Sequence, residues 1–305
     1  MEKLLVCVLI GCAAPAAPSP APPASPASAE AARSDPDWLL PMLPMRIVYT
    51  VAGMEERSAK KDVVYKQAGT LPLTMDVWSP AQPGPRPAIV FIHGGPIPGD
   101  LRTQPKDWGV FVSYGQLAAA SGFVGITFNH RLYGLDRVAD AQADVVDLIG
   151  HLRASAARYG IDRDRICLWA FSGGGTLLSP ALTDQLAGIR CVVSFYGLLD
   201  RRPDRAEIPG SITDADLQQL SPVYHAAAGH RIPPMLIARA GNDAPEINAT
   251  VDDFVREARA HHAPVQVIEH PTGHHAFDTR DNDDRSRAII AEAIRFIAAQ
   301  LAVAP

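Results

Sequence analysis

From Arg46 onward, short apolar runs alternate with stretches whose apolar residues recur every three or four positions. VVYKQAG (63–69) and LPLTMDVWSP (71–80) read as an antiparallel pair that turns near Gly69 and Thr70. Six more runs follow: AIVFIHGG (88–95), FVGITFNH (123–130), ICLWAFS (166–172), CVVSFYG (191–197), PMLIARAG (234–241) and VQVIEH (265–270). Continuous apolar runs of this length are the pattern of strands buried on both faces of a parallel sheet. Between them, Val138, Val145, Leu148, Ile149 and Leu152 share one face of a helix from about 138 to 159. Ile247, Val251, Phe254, Val255 and Ala258 do the same, as do Ile290, Ile294, Ile297 and Leu301. The expected fold class is α/β: a mostly parallel, twisted sheet of about eight strands with right-handed crossovers and helices on both faces. Residues 200–232 break the rhythm, with prolines at 203, 209 and 222 and only DADLQQL hinting at a helix. They are expected to form a small cap insertion above the strand ends, where substrates sit in such folds. No internal repeat or second core is visible, so residues 46–305 read as one domain.

The start of the chain does not share this pattern. MEKLLVCVLIGC places Lys3 before an apolar stretch, Leu4 to Ile10, that is too short to span a bilayer and reads as a signal segment, residues 1–12. Its end, LIGC, resembles a bacterial lipobox, which implies cleavage before Cys12 and acylation of that cysteine; an ordinary secretory signal is the competing reading. Residues 13–36 are nearly all Ala, Pro and Ser, a composition that cannot build a core and favours an extended spacer. Residues 13–45 are therefore read as a tether, and the expectation is an exported bacterial protein of the periplasm or cell envelope, held to the membrane only through its lipid. A mature chain would keep Cys12, Cys167 and Cys191. The last two sit in apolar runs and read as small core residues, with a disulfide between them left open. The formal net charge of −5 comes without a basic stripe, which argues against a nucleic-acid partner.

AFSGGG (170–175) carries the candidate chemistry. A phosphate-cradling Walker loop needs a lysine after its glycines, and a dinucleotide loop needs a third spaced glycine; neither is present. The remaining pattern is small-x-Ser-x-Gly between a strand and a helix. It suits a sharp turn that exposes a serine hydroxyl while strand and helix pass close beside it. Ala170 takes the first small position and Gly174 the second. Other residues supply what such a serine needs. His93-Gly94-Gly95 ends the strand at 88–92 and offers backbone N–H groups to a developing oxyanion, with Gly173 as the second donor. His93 itself reads as a loop-organising residue. Asp243 follows the strand PMLIARAG, and GHHAFD (273–278) supplies His274 and His275 after the last strand.

The order Ser172, Asp243, His275 is that of the α/β-hydrolases. From about residue 63 to the C-terminus the chain resembles the dienelactone-hydrolase-like and hormone-sensitive-lipase-like serine esterases of that superfamily. FIHGG is similar to their oxyanion strand, TFNHRLY to the strand that follows, and ARAGNDAP to their acid loop; HHAF looks like their HGF. The resemblance implies Ser172 as nucleophile, Asp243 as acid and His275, two residues before Phe277, as base, with His274 the adjacent competitor. Dienelactone hydrolases carry cysteine in place of this serine, so lactone specificity does not transfer. The implied activity is hydrolysis of small or short-chain carboxylic esters, a small-molecule substrate, with no metal and no organic cofactor. Tyr133 and Tyr196, near strand ends, are candidates for the substrate pocket, packing being the alternative. HGGP (93–96) also occurs in serine peptidases acting on prolyl or acyl-amino-acid substrates, and a non-catalytic tethered binding lipoprotein is a further alternative. Paired histidines at 261–262 and 274–275 lack metal-site spacing. Asp278 and the run 281–284 read as a polar loop leading into the last helix.

Overall fold

A computed structural model describes residues 35–302. The signal segment, Cys12 and residues 13–34 of the tether lie outside the described residues. Eight strands form one sheet: β1 (Ala59–Ala68), β2 (Leu71–Trp78), β3 (Arg86–Ile92), β4 (Val124–Phe128), β5 (Ile161–Phe171), β6 (Cys191–Phe195), β7 (Met235–Ala240) and β8 (Val265–His270). Their spatial order is β1-β2-β4-β3-β5-β6-β7-β8. β1 and β2 pair antiparallel, as β2 does with β4, and every pairing from β4 to β8 is parallel.

Helices cover both faces. They are α1 (Gly109–Ala120), α2 (Val138–Ala154), α3 (Ala156–Tyr159), α4 (Asp214–Leu220), α5 (Pro222–Ala227), α6 (Pro245–Ala260), α7 (Phe277–Arg280) and α8 (Asp284–Leu301). Strand alternation splits the apolar side chains between two cores. Ala88, Val90 and Ile92 of β3 point to the core shared with α2 and α6. Ile89 and Phe91 point to the one shared with α1 and α8. Both sets are at most 1% exposed, which is why the strand reads as a continuous apolar run. α1 gives no amphipathic signal for the same reason: eight of its twelve residues are buried, so the helix lacks a polar face. α8 starts where Asp283 accepts the Ser286 N–H at 2.7 Å, a side-chain N-cap.

The folded body begins earlier than the sequence pattern places it. Leu39, Ile47 and Met54 are buried in the α1–α8 core, and the Asp35 carboxylate accepts the Thr103 N–H at 2.9 Å and its hydroxyl at 2.7 Å. Residues 35–45, assigned above to the tether, are therefore part of the domain; their prolines mask the few apolar anchors. Residues 200–232 form the β6–β7 crossover. Leu220, Val223, Ala226 and Ile232 join the α2–α6 core, so α4 and α5 pack along that sheet face. The Leu220 carbonyl accepts hydrogen bonds from Gln142 and Ser179, each at 3.1 Å.

Cys167 and Cys191 are register partners on β5 and β6 and form a disulfide, closing the option left open above. They stand 24 residues apart in sequence, so the chain-entropy argument gives about 3 kcal/mol of stabilisation. The double variant Cys167→Ala/Cys191→Ala should unfold at correspondingly lower urea, while dithiothreitol should shift wild type and leave the variant unmoved.

Candidate active site

The candidate residues come from the C-terminal ends of neighbouring strands. β3 ends at Ile92 and delivers His93 to Gly95, β5 delivers Ser172, β7 is followed by Asp243, and β8 by His275. A parallel sheet thus gathers at one edge side chains that lie far apart in sequence.

Ser172 has φ +53°, a left-handed conformation uncommon for a residue with a side chain. Such strain persists only where the surroundings enforce it. Here the chain leaves β5 and winds at once into 3₁₀-type turns over Ser172–Leu182. The glycines after the serine allow the close approach this requires. A Cβ on Gly173 would overlap the Gly95 carbonyl oxygen, and one on Gly94 would come within 3.0 Å of the Ser172 Cβ. The Ala170 side chain, fully buried, fits the first small position of the turn.

His275 bridges the other two candidates. Its Nδ1 lies 2.8 Å from Asp243 Oδ2 and its Nε2 2.8 Å from Ser172 Oγ. With the carboxylate accepting the Nδ1–H, Nε2 is left as acceptor for the serine hydroxyl. The Asp243 side chain is 2% exposed, and its second oxygen accepts the Ala244 N–H at 2.7 Å. The acid loop and the histidine loop are pinned together: Gly241 N–H donates to the His270 carbonyl and Asn242 N–H to the Gly273 carbonyl, each at 2.8 Å. Gly241 passes so close to Pro271 that a Cβ would overlap its carbonyl oxygen, which accounts for the glycine of ARAGND.

His274 points elsewhere. Its Nδ1 meets Asp281 Oδ1 at 3.0 Å and its side chain is 57% exposed, so the adjacent histidines separate as a base candidate and a loop anchor. Tyr196 packs against the His275 ring, centroids 4.8 Å apart, but its hydroxyl donates to Asp278 at 2.7 Å and it is buried. Tyr133 is half-buried with its ring against Gly99, beyond the oxyanion-type loop. Asp278 is not in a polar loop: it is fully buried in α7, because two phenols solvate it. Among the described residues no three His, Cys, Asp or Glu side chains converge as a metal-ligand set. A cavity of about 610 Å³, lined by Leu186, Arg190, Arg231 and Gln300 among others, opens near the starts of β6 and β7, at the opposite edge of the sheet from Ser172.

His130 was missed by motif reading, since it looks like one more residue of a strand end. Its ring stacks on His93 with centroids 3.6 Å apart and 11° between planes. Its Nε2 lies 3.2 Å from the His93 carbonyl, and its Nδ1 accepts the Leu132 N–H at 3.4 Å. His93, whose Nδ1–H donates to the Gly94 carbonyl at 2.6 Å, is 3% exposed and organises the loop from below. Burial pushes His130 down to about 3, against the hydrogen bond to His93, and burial with the neighbouring His130 holds His93 well below the usual imidazole range. Both rings are neutral in the fold, whereas the unfolded chain takes up protons near pH 6.5. Below that pH the unfolded state binds more protons, so the stability that goes with these neutral rings is full above about 6.5 and is lost as pH falls below it. Urea unfolding at pH 7, 6 and 5 should show this loss, and His130→Gln should make it smaller by one histidine's share.

Comparisons with known proteins speak to the fold. The BD-FAE family model matches residues 75–200, the stretch from β2 through the oxyanion-type loop and the elbow serine. No curated protein matches the chain by sequence. Among solved structures, a thermophilic esterase of the Planctomycetes species Thermogutta terrifontis, Est2, is 22% identical with a TM-score of 0.66, covering 82% of this chain and 95% of its own. Thermogutta terrifontis esterase 2 phosphorylated by paraoxon gives 22% and 0.65, covering 83% and 97%. The butyrate-bound Est2 gives 22% and 0.63, covering 83% and 98%. Identity at this level speaks for architecture, and with the strand order and the elbow serine it establishes that this chain has the α/β-hydrolase fold.

Proposed function

We propose that this protein is a serine hydrolase of small or short-chain carboxylic esters. The observation that carries the reading is the continuous hydrogen-bonded line from Ser172 Oγ through His275 to Asp243, with both links at 2.8 Å. In the first step the Ser172 oxygen attacks the ester carbonyl and its proton passes to His275 Nε2. Asp243 holds the imidazole in the tautomer that accepts it and stabilises the imidazolium. The negative charge on the former carbonyl oxygen is met by backbone N–H groups of Gly94 or Gly95 and of Gly173. His275 then gives its proton to the leaving alcohol. Water repeats the attack on the acyl-enzyme and releases the acid.

The structural neighbours are esterases, which supports the reaction class, and those bound to butyrate and to propionate support short acyl groups. Export with lipid attachment at Cys12 is part of the proposal. The Cys167–Cys191 disulfide supports it, because such bonds persist in oxidising compartments. The test is hydrolysis of p-nitrophenyl esters of increasing chain length beside Ser172→Ala. Turnover greatest at the short esters and lost in the variant is expected. No turnover above the variant on any ester would overturn the esterase reading, and hydrolysis of prolyl or acyl-amino-acid amides instead would replace it with a peptidase.

A further inference from the structure

Three residues beyond His275, Asp278 is fully buried, and each of its carboxylate oxygens accepts a phenol: Oδ2 from Tyr114 at 2.6 Å, Oδ1 from Tyr196 at 2.7 Å. Its backbone carbonyl accepts the Val48 N–H at 2.8 Å. The two tyrosines come from different elements, Tyr114 from α1 and Tyr196 from the turn directly after β6. Their bonds to Asp278 are equivalent, but Tyr196 has a second contact: its ring lies 4.8 Å from the His275 ring at 58°. The backbone on this side of the site is held in disfavoured shapes, with φ +39° at Tyr196 and φ +62° at Ala276, next to His275. Such conformations need surrounding contacts to hold them.

The His275 side chain is 34% exposed and tied to Asp243 by one hydrogen bond. A single bond fixes a point on the ring and leaves the imidazole free to swing about the Nδ1–Oδ2 line, carrying Nε2 away from Ser172. A ring packed against the imidazole at 4.8 Å and tilted by 58° blocks part of that swing. We propose that Tyr196, anchored by the buried Asp278 carboxylate, is the positioning residue that keeps His275 Nε2 aimed at Ser172 Oγ. The inference rests on the serine-hydrolase reading above. Burial pushes the Asp278 carboxyl above its ordinary range, and hydrogen bonds from the two phenols oppose this. Two charge-assisted donors are what a fully buried carboxylate needs.

The test uses the full chain and a fluorophosphonate probe, which reads the serine–histidine pair without assuming an ester substrate. In labelling, the Ser172 Oγ–P bond forms, fluoride leaves, and the serine proton passes to His275. Tyr114→Phe and Tyr196→Phe each remove one hydroxyl from Asp278 and are conservative enough to fold. Tyr196→Phe should label about tenfold more slowly at unchanged probe affinity, the scale of a small misalignment. Tyr196→Leu, which lacks the ring, should be slower still, and Tyr114→Phe should label like wild type even if its melting temperature drops. The kcat for a short ester should follow the same order with KM within twofold. If folded Tyr196→Phe and Tyr114→Phe label at equal rates, whether wild-type or reduced, the network is only structural and the inference fails. A wild type that does not label overturns the serine-hydrolase reading, and this inference with it.

Discussion

Replacing Ser172 with alanine should lower kcat for p-nitrophenyl acetate by about 10⁵-fold while the melting temperature stays near that of wild type. The expectation follows from the acyl-enzyme route, in which the Oγ atom is the only group that forms the covalent bond. What survives is the modest catalysis of the oxyanion donors and of substrate binding, about 10³-fold over water in other triads. The change removes one oxygen, and the positive φ of residue 172 is itself costly, so relief of strain on deletion is not expected for alanine. Asp243→Asn should cost about 10⁴-fold, because an amide at the 2.8 Å position can donate to Nδ1 and turn the imidazole into the wrong tautomer. Steady-state kinetics on purified variants will test both values, with circular dichroism to verify the fold. Retention of more than a hundredth of wild-type activity by Ser172→Ala would show that another group is the nucleophile.

Gly173→Ala should be the most damaging single-methyl change. The added Cβ would overlap the Gly95 carbonyl oxygen and lie 3.0 Å from its carbonyl carbon and 3.1 Å from its nitrogen. These are backbone atoms, so no rotamer change relieves the clash. The loop from His93 to Pro96 must move away from Ser172, and under the proposed mechanism an oxyanion donor moves with it. Loss of one such donor corresponds to about 10²–10³-fold in kcat, and overpacking of this kind costs about 1–3 kcal/mol of stability. Ester kinetics and urea unfolding read the two effects separately. Gly150→Ala is the control: nothing lies within 4 Å of its Cβ position on α2, so activity should be unchanged. If Gly173→Ala keeps full activity, the N–H of residue 173 is not part of an oxyanion site.

The legible parts of this protein were those whose signal is local. The central strands β3 to β7 coincide with apolar runs read from the chain, because strands covered on both faces admit few polar residues, while the edge strands β1 and β8 keep exposed polar positions. α2, α6 and α8 were legible because each keeps a polar face toward solvent. α1 was not, since Phe111, Tyr114 and Leu117 share the helix with buried Ser113 and Gln116, and no period emerges. The start of the folded body was misjudged because Leu39 and Asp35 sit in proline-rich surroundings, and only their contacts with the core and with Thr103 give them away.

For the site, the elbow pattern and the order of Ser172, Asp243 and His275 were enough to nominate the chemistry, because the turn, the small residues and the strand ends are written in consecutive positions. Choosing His275 over His274 needed more than spacing, since neighbouring side chains diverge and one of them turns to Asp281 at 3.0 Å. The Tyr114–Asp278–Tyr196 network and the His93–His130 stack were invisible for a different reason. Tyr114 and Asp278 stand 164 positions apart, and His93 and His130 stand 37 apart. Contacts over such distances arise from how helices and loops pack on the sheet, a property of the folded whole that no window of the chain contains.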